Sequence, residues 1–247
     1  MRALPRLVQI GFVVGLVLLW HLATTTWHVS PLLLPRPALV VAKAWSLIVS
    51  LEFLDPLAQT AGEVAAAFAI AASSGLIVGA FVARAGLRVQ VAEPLLTAIN
   101  AVPAILFFPL FTLLFGLGGG SKIALGATIG FFPIVLNTIS GLSNVERILV
   151  TAAISMGASR MALLRHVLLP AAFPSVLAGL RIGMTLSFLA VLGGETIASF
   201  DGLGHQIADA AESMESATMY AYILIVIGVA ALLNQLLARL DSFGARR

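Results

Sequence analysis

The residues of this chain that could do chemistry are few, and their spacing argues against catalysis. His205, Asp209 and Glu212 fall at i, i+4 and i+7, so a helix would place a metal-ligand type at each position on one face. No fourth ligand stands near them, and the same three residues form an ordinary solvated acidic face. Gly116-Leu117-Gly118-Gly119-Gly120-Ser121-Lys122 has the glycines of a phosphate cradle. That chemistry needs Gly-Lys-Ser/Thr opening a helix after a strand, so the run reads as a turn between helices. Cysteine is absent, as are the His-Glu-x-x-His pair and the Gly-x-Ser-x-Gly elbow. Thiolate nucleophiles, Cys-ligated zinc, disulfides and the common hydrolase sites are thereby excluded.

Two ionisable residues belong to one apolar stretch, Arg181 and Glu195. On a helix they lie ~21 Å apart and cannot pair with each other. Arg181 is close enough to an end to snorkel, whereas Glu195 near the other end is a gate candidate. His166, beside Arg165, reads as a polar interface group, and His21 and His28 as residues at the end of the first apolar stretch.

The elements that must position these residues are set by composition. The chain has 247 residues, 60% hydrophobic and 10% charged, and its mean hydropathy is +1.06. That leaves too little polar surface to cover a water-soluble globule and places the chain in a bilayer. A span needs ~20 apolar residues to cross ~30 Å of hydrocarbon, so the length holds six or seven spans as one membrane domain, 1–247, with no soluble domain. The isoelectric point near 10.0 does not indicate nucleic acid, because the basic residues are spread through short loops rather than gathered on one face.

The first span is expected at 7–27, longer than a signal-peptide core and without a small-residue cleavage pattern. Pro35-Arg36-Pro37 then breaks the chain, and 38–50, carrying Lys43 and Trp45, fits a helix at the membrane surface. The second span, 57–83, has Ala67, Ala71, Gly75, Gly79 and Ala83 at every fourth position, a stripe against which another helix can pack closely. Pro94 opens a third span, 94–115, which Pro103 and Pro109 should kink, either to line a pathway or to serve packing alone. After the turn at 116–121, the fourth span, 122–142, contains Pro133 and Asn137. The fifth is 175–197, the sixth 217–238, and the acidic loop 199–216 separates them.

Lysine and arginine near span ends stay on the cytoplasmic side. With a cytoplasmic N-terminus, that side holds Arg2, Arg6, Arg84, Arg88, Arg147, Arg160, Arg165, Arg181, Arg239, Arg246 and Arg247, and only Arg36, Lys43 and Lys122 fall outside. Glu52, Asp55, Glu63, Glu195, Asp201, Asp209, Glu212 and Glu215 then also lie outside. Six spans with both termini inside fit this distribution.

The segment 143–174, between the fourth and fifth spans, is less hydrophobic and cytoplasmic in this topology. Ser143-Asn144-Val145-Glu146 has the form of a capping box and predicts a helix start. Val145, Ile148, Leu149, Ala152 and Met156 follow helical spacing on one face, and Gly157 supplies the stop. Ser159 can cap a second short helix that carries Arg160, Arg165 and His166 and ends before Pro170 and Pro174. Two short helices meeting at a glycine make a knob that a partner can hold.

Thr151-Ala152-Ala153, three residues, Gly157, nine residues, then Val167-Leu168-Leu169-Pro170 resembles the "EAA" loop of binding-protein-dependent ABC importer permeases. That pattern is Glu-Ala-Ala, three residues, glycine, nine residues, Ile-x-Leu-Pro. The spacing matches throughout, with Thr151 in place of glutamate and Val167 in place of isoleucine. Leu34-Pro35-Arg36-Pro37, Pro103 and Pro109 before Leu114-Phe115-Gly116, and Phe131-Phe132-Pro133 before Asn137-Thr138 look like the sulfonate, taurine and nitrate permease subfamily. So do Ala178-Gly179-Leu180-Arg181, Glu195 and Gly202-Leu203-Gly204.

The resemblance implies the all-α permease fold of type I ABC importers in a bacterial inner membrane. It also implies a dimer of permease copies, two cytoplasmic ATPases that bind the ATP and magnesium, and an external protein that delivers the solute. The docking loop would comprise Thr151, Ala152, Ala153, Met156, Gly157, Arg160, Leu169 and Pro170. Pathway or gate candidates are Pro103, Pro109, Asn137, Ser187 and Glu195. Two other classes are set against this reading: a gradient-driven transporter, which needs a membrane-embedded ion site and no docking knob, and an intramembrane enzyme, whose motifs are missing.

Overall fold

Small residues decide how the central helices of this chain meet. A computed structural model describes residues 3–27, 29–83 and 87–244. In chain order they form α1 (Ala3–Thr25), α2 (Pro37–Ser50), α3 (Leu54–Ala83), α4 (Leu87–Asn100), a 3-10 turn (Ala104–Phe107), α5 (Phe108–Phe115), α6 (Gly119–Ser143), α7 (Arg147–Ser155), α8 (Arg160–Leu163), a π-helical turn (Leu164–Leu168), α9 (Leu169–Ile197), α10 (Leu203–Glu212) and α11 (Ser216–Gly244). Every regular element among the described residues is helical.

Helix α6 lies between α3 and α9. The small-residue stripe of α3 faces it as expected: Ala67 meets Gly126, Ala71 meets Gly130, Gly75 meets Ile134 and Gly79 meets Thr138. Both helices advance by four residues from contact to contact, so they run parallel. Across the other face the order reverses, with Gly141 against Ser175, Gly179 against Asn137, and Gly183 against Ile134. Helix α9 is therefore antiparallel to α6. A Cβ at Gly79 would stand 2.6 Å from the Thr138 Cβ, so only glycine admits this approach. In lipid, such close backbone contact replaces the hydrophobic effect as the force between helices.

Leu54–Ala83, Gly119–Ser143, Arg160–Ile197 and Ser216–Arg239 are long and apolar enough to cross a membrane. Val89–Asn100 and Ala104–Phe115 make a further span broken by a 71° bend. The apolar part of α1 described in side-chain detail, Gly11–Thr25, falls short of that length. Exposed leucine, valine and phenylalanine side chains cover the outside, while Glu63, Lys122 and Glu195 are buried. That inversion is what a hydrocarbon solvent demands.

Several expectations change. Pro94 does not open a span; it lies inside α4, which begins at Leu87. The third span is broken rather than kinked. Pro103 precedes the 3-10 turn, and Pro109 falls in the first turn of α5, where its missing N–H leaves no bond unmade. The capping box is not formed, because α6 runs on through Ser143, Asn144 Nδ2 bonds Ser140 Oγ at 3.0 Å, and Glu146 precedes α7 without a side-chain cap. The acidic loop holds a helix, α10. The surface helix α2 packs Val40, Ala44 and Leu47 inward against α11 and leaves Trp45 exposed. Residues Arg2, His28, Arg84, Arg246 and Arg247 and the side chains of Arg6 and Arg88, invoked above for topology or the interface, lie outside the described residues.

Candidate functional site

At the end of the bundle where α6 stops and α9 starts, the chain projects a helix-glycine-helix knob. Helix α7 ends in a double hydrogen-bonded cap: Gly157 N–H donates to the Ile154 carbonyl at 2.9 Å and Ala158 N–H to the Ala153 carbonyl at 3.0 Å. This geometry needs a left-handed residue, and Gly157 supplies it at φ +80°. Ser159 then caps α8, its Oγ accepting from Ala162 N–H at 3.2 Å.

Of the predicted apolar face, Ile148, Leu149, Ala152 and Met156 are on α7 or its end and all are exposed, Met156 at 81%. Val145 precedes the helix. Thr151 and Arg160 are exposed as well, and Ala153 is the α7 residue that faces the bundle. Met161 and Ile154 extend the open apolar surface.

The second helix of the knob does not end before Pro170. Arg160–Ile197 is helical throughout, with a π turn at Leu164–Leu168. Pro170 has no N–H to give the His166 carbonyl, so the regular ladder is interrupted where the wider turn lies. The His166 ring Nδ1 is 3.1 Å from the Ala162 carbonyl. Leu169 and Pro170 remain exposed at the start of α9. The knob is thus continuous with a rod of ~43 Å.

At the opposite end of that rod lies a buried polar network. Lys122 Nζ, 2.8 Å from Glu63 Oε1, also donates to Ser199 Oγ at 2.7 Å. Gln59 Nε2 donates to the same Glu63 oxygen at 2.8 Å, and Glu63 Oε2 is buried with no hydrogen-bond partner among the described residues. Thr60 Oγ1 donates to Glu195 Oε1 at 2.8 Å and accepts from Leu203 N–H at 2.9 Å. Glu195 Oε2 accepts from Gly204 N–H at 2.8 Å. Gly202, at φ +104°, turns the chain against the Glu195 carboxylate.

Glu195 therefore has partners on α3 and α10, and Arg181 lies elsewhere, its Nη2 donating to Asn234 Oδ1 on α11 at 2.7 Å. Charge counting had set Glu63 and Lys122 in water; they are 4% and 1% exposed and paired. Thr60 and Ser199 carried no sequence signal, but a lysine and a glutamate inside apolar helices did, since such charges are expensive unless paired.

The remaining pathway candidates separate. Asn137 Nδ2 donates to the Pro133 carbonyl at 2.8 Å, and its own carbonyl accepts from Ser175 Oγ at 3.0 Å. Ser187 is fully buried and donates to the Gly126 carbonyl at 3.0 Å. Both bind α6 and α9 to themselves or each other. Pro103 and Pro109 lie on the exposed surface at the broken span. His205 is half-buried and Asp209 and Glu212 are exposed on α10. No group of three His, Asp or Glu side chains able to hold a metal occurs among the described residues.

Residues 75–243 match the family described as "Binding-protein-dependent transport system inner membrane component". The taurine transport system permease protein TauC of Escherichia coli K12 is 30% identical over 92% of this chain and 84% of that protein. A putative aliphatic sulfonates transport permease protein, SsuC, of the same strain is 33% identical over 94% and 86%. The riboflavin transport system permease protein RibX of Chloroflexus aurantiacus is 32% identical over 94% and 91%. In fold, the chain is similar to one in an inward-facing MetNI methionine ABC transporter, with a TM-score of 0.60 over 85% of this chain and 98% of that one, at 19% identity. Helical spans, a knob carrying the spacing of the family's loop and a match through 75–243 agree that this chain belongs to the binding-protein-dependent inner-membrane permeases and is the permease component of an ABC importer.

Proposed function

We propose that this chain is one half of a permease dimer served by two separate ATPases, that one of them grips this chain at Thr151 to Pro170, and that an external binding protein delivers a small solute to its other face. The observation that carries the reading is the knob itself. Met156, Ile148 and Met161 present an apolar surface far from the helix core, on a turn shaped by Gly157 and joined without a break to α9. A soft, methionine-rich surface beside Arg160 suits a protein groove. ATP and magnesium belong to the partner ATPase in this reading, and this chain binds no cofactor.

Helix α1 supplies the sixth span, with the knob and both termini cytoplasmic and α10 outside. Closure of the ATPases moves the docked knobs as rigid bodies and switches the pathway between inward- and outward-facing states. Taurine and alkanesulfonates are the first solutes to test, since two relatives carry those names. Discrimination among solutes lies with the binding protein.

The test is reconstitution with the partner ATPase in proteoliposomes. Binding protein with its solute should stimulate ATP hydrolysis and drive uptake. Uptake that continues without any ATPase would overturn the reading and favour a gradient-driven carrier.

A further inference from the structure

Helix α10 packs on α11 and α9, and its first turn is in addition hydrogen-bonded to side chains of α3 and α9. Leu203 and Gly204 open it, and their N–H groups are among those a helix leaves without internal partners. Both are taken by side chains from other helices: Leu203 N–H by Thr60 Oγ1 of α3 at 2.9 Å, and Gly204 N–H by Glu195 Oε2 of α9 at 2.8 Å. Thr60 and Glu195 bond each other at 2.8 Å, closing the arrangement. Thr60, Glu195 and Leu203 are all no more than 1% exposed. A Cβ at Gly202 would come within 2.3 Å of the Glu195 carboxylate and one at Gly204 within 2.6 Å of the Glu195 Cβ, so the turn is shaped around this side chain.

Each of these carboxyl and hydroxyl oxygens meets a buried backbone donor, and leaving such a donor unmet is costly. Ile207 and Ala210 continue the packing along one face of α10. Asp209, Glu212 and Met214 at its far end are exposed. Helix α9, which carries Glu195, is the rod whose other end is the knob.

We infer that Glu195 and Thr60 are positioning residues that lock the start of α10 to α9 and α3, so that a protein seated on α10 acts on the helix leading to the ATPase-facing segment. This rests on the reading of α10 as the binding-protein side. Load applied to α10 reaches α9 through hydrogen bonds at its first turn, and rigid helices transmit it. Glu63, three residues from Thr60 on α3, pairs with Lys122 of α6 at 2.8 Å and ties those two helices together.

The variant that isolates the link is Thr60→Val, which keeps shape and removes the hydroxyl, with Thr60→Ser as the conservative control. The complete complex with its ATPase is the material, and two quantities are read. One is hydrogen exchange over the first turn of α10; the other is the ratio of hydrolysis with binding protein and solute to hydrolysis without them. Thr60→Val should speed exchange there and lower the ratio roughly fivefold or more, the lower range of measured allosteric couplings. Thr60→Ser should restore both.

Glu195→Asp, which keeps the carboxyl group but withdraws it by one methylene, is the second variant and the one to use where Thr60→Val does not assemble. It should produce the same pair of changes. An unaltered ratio in an assembled variant, with or without faster exchange, overturns the inference. A wild-type complex that binding protein fails to stimulate refutes instead the assignment of α10's partner, and with it this inference.

Discussion

A buried lysine inside an apolar bundle is stable only with a partner. Lys122 has Glu63 at 2.8 Å and Ser199 at 2.7 Å, and 1% of its surface is exposed. The pair itself adds little net stability, because desolvating both charges offsets their attraction. Breaking it is another matter. Lys122→Met leaves Glu63 buried with its Oε2 already unbonded, and the expected loss is about 3–5 kcal/mol. Adding Glu63→Gln to that variant should recover most of the loss, because no lone charge remains. Thermal unfolding of the detergent-purified chain, followed by tryptophan fluorescence, measures this. Single and double variants with equal melting temperatures would refute the pairing.

Turn chemistry matters most at the level of elements. Helices α7 and α10 end in the same motif, with the residue after the cap in the left-handed region. In α7 that residue is Gly157, at φ +80°, and a Cβ there meets nothing within 4 Å. A bulky residue at 157 therefore acts through backbone strain rather than collision. Gly157→Val should cost ~1–2 kcal/mol locally and tilt α8 against α7, weakening co-purification with the ATPase while membrane insertion persists. Gly157→Asn, which tolerates this conformation, should retain the partner. Unchanged co-purification by the valine variant would remove the turn from the docking mechanism. In α10 the equivalent residue is Met214, at φ +58° and 72% exposed. Met214→Gly relieves that strain and should raise the melting temperature slightly, by about 0.5–1 kcal/mol of stability.

Across the whole molecule, the two ends of α9 should face opposite sides of the membrane. The chain contains no cysteine, so each introduced thiol reports alone. Met156→Cys and Glu212→Cys place thiols at exposed positions on the knob and on α10. In intact spheroplasts, a membrane-impermeant maleimide should label the residue-212 thiol and spare the residue-156 thiol until the membrane is opened. The opposite pattern would invert the topology and move the ATPase site. The expected labelling pattern would also put the Lys122–Glu63 pair and the Thr60–Glu195 contact at the external end.

Composition and local spacing were enough to establish membrane class, the α3 stripe, the Gly157 stop and the Ser159 cap, because lipid solubility and helix geometry act within one or two turns. They placed the knob correctly, but misjudged its start, since Ser143 was claimed by α6 before it could cap α7. Tertiary structure alone decided which charges are paired. Glu63 and Lys122 meet because the small residues of α3 and α6 set two helices side by side, and Thr60 reaches Glu195 across 135 residues of chain. Counting loop charges treats every lysine as facing water, and in a bilayer the partner that makes an exception affordable comes from another helix. The same holds for α9: its prolines suggested an end near 170, and only the π turn and its packing on α6 showed one rod joining the knob to the network.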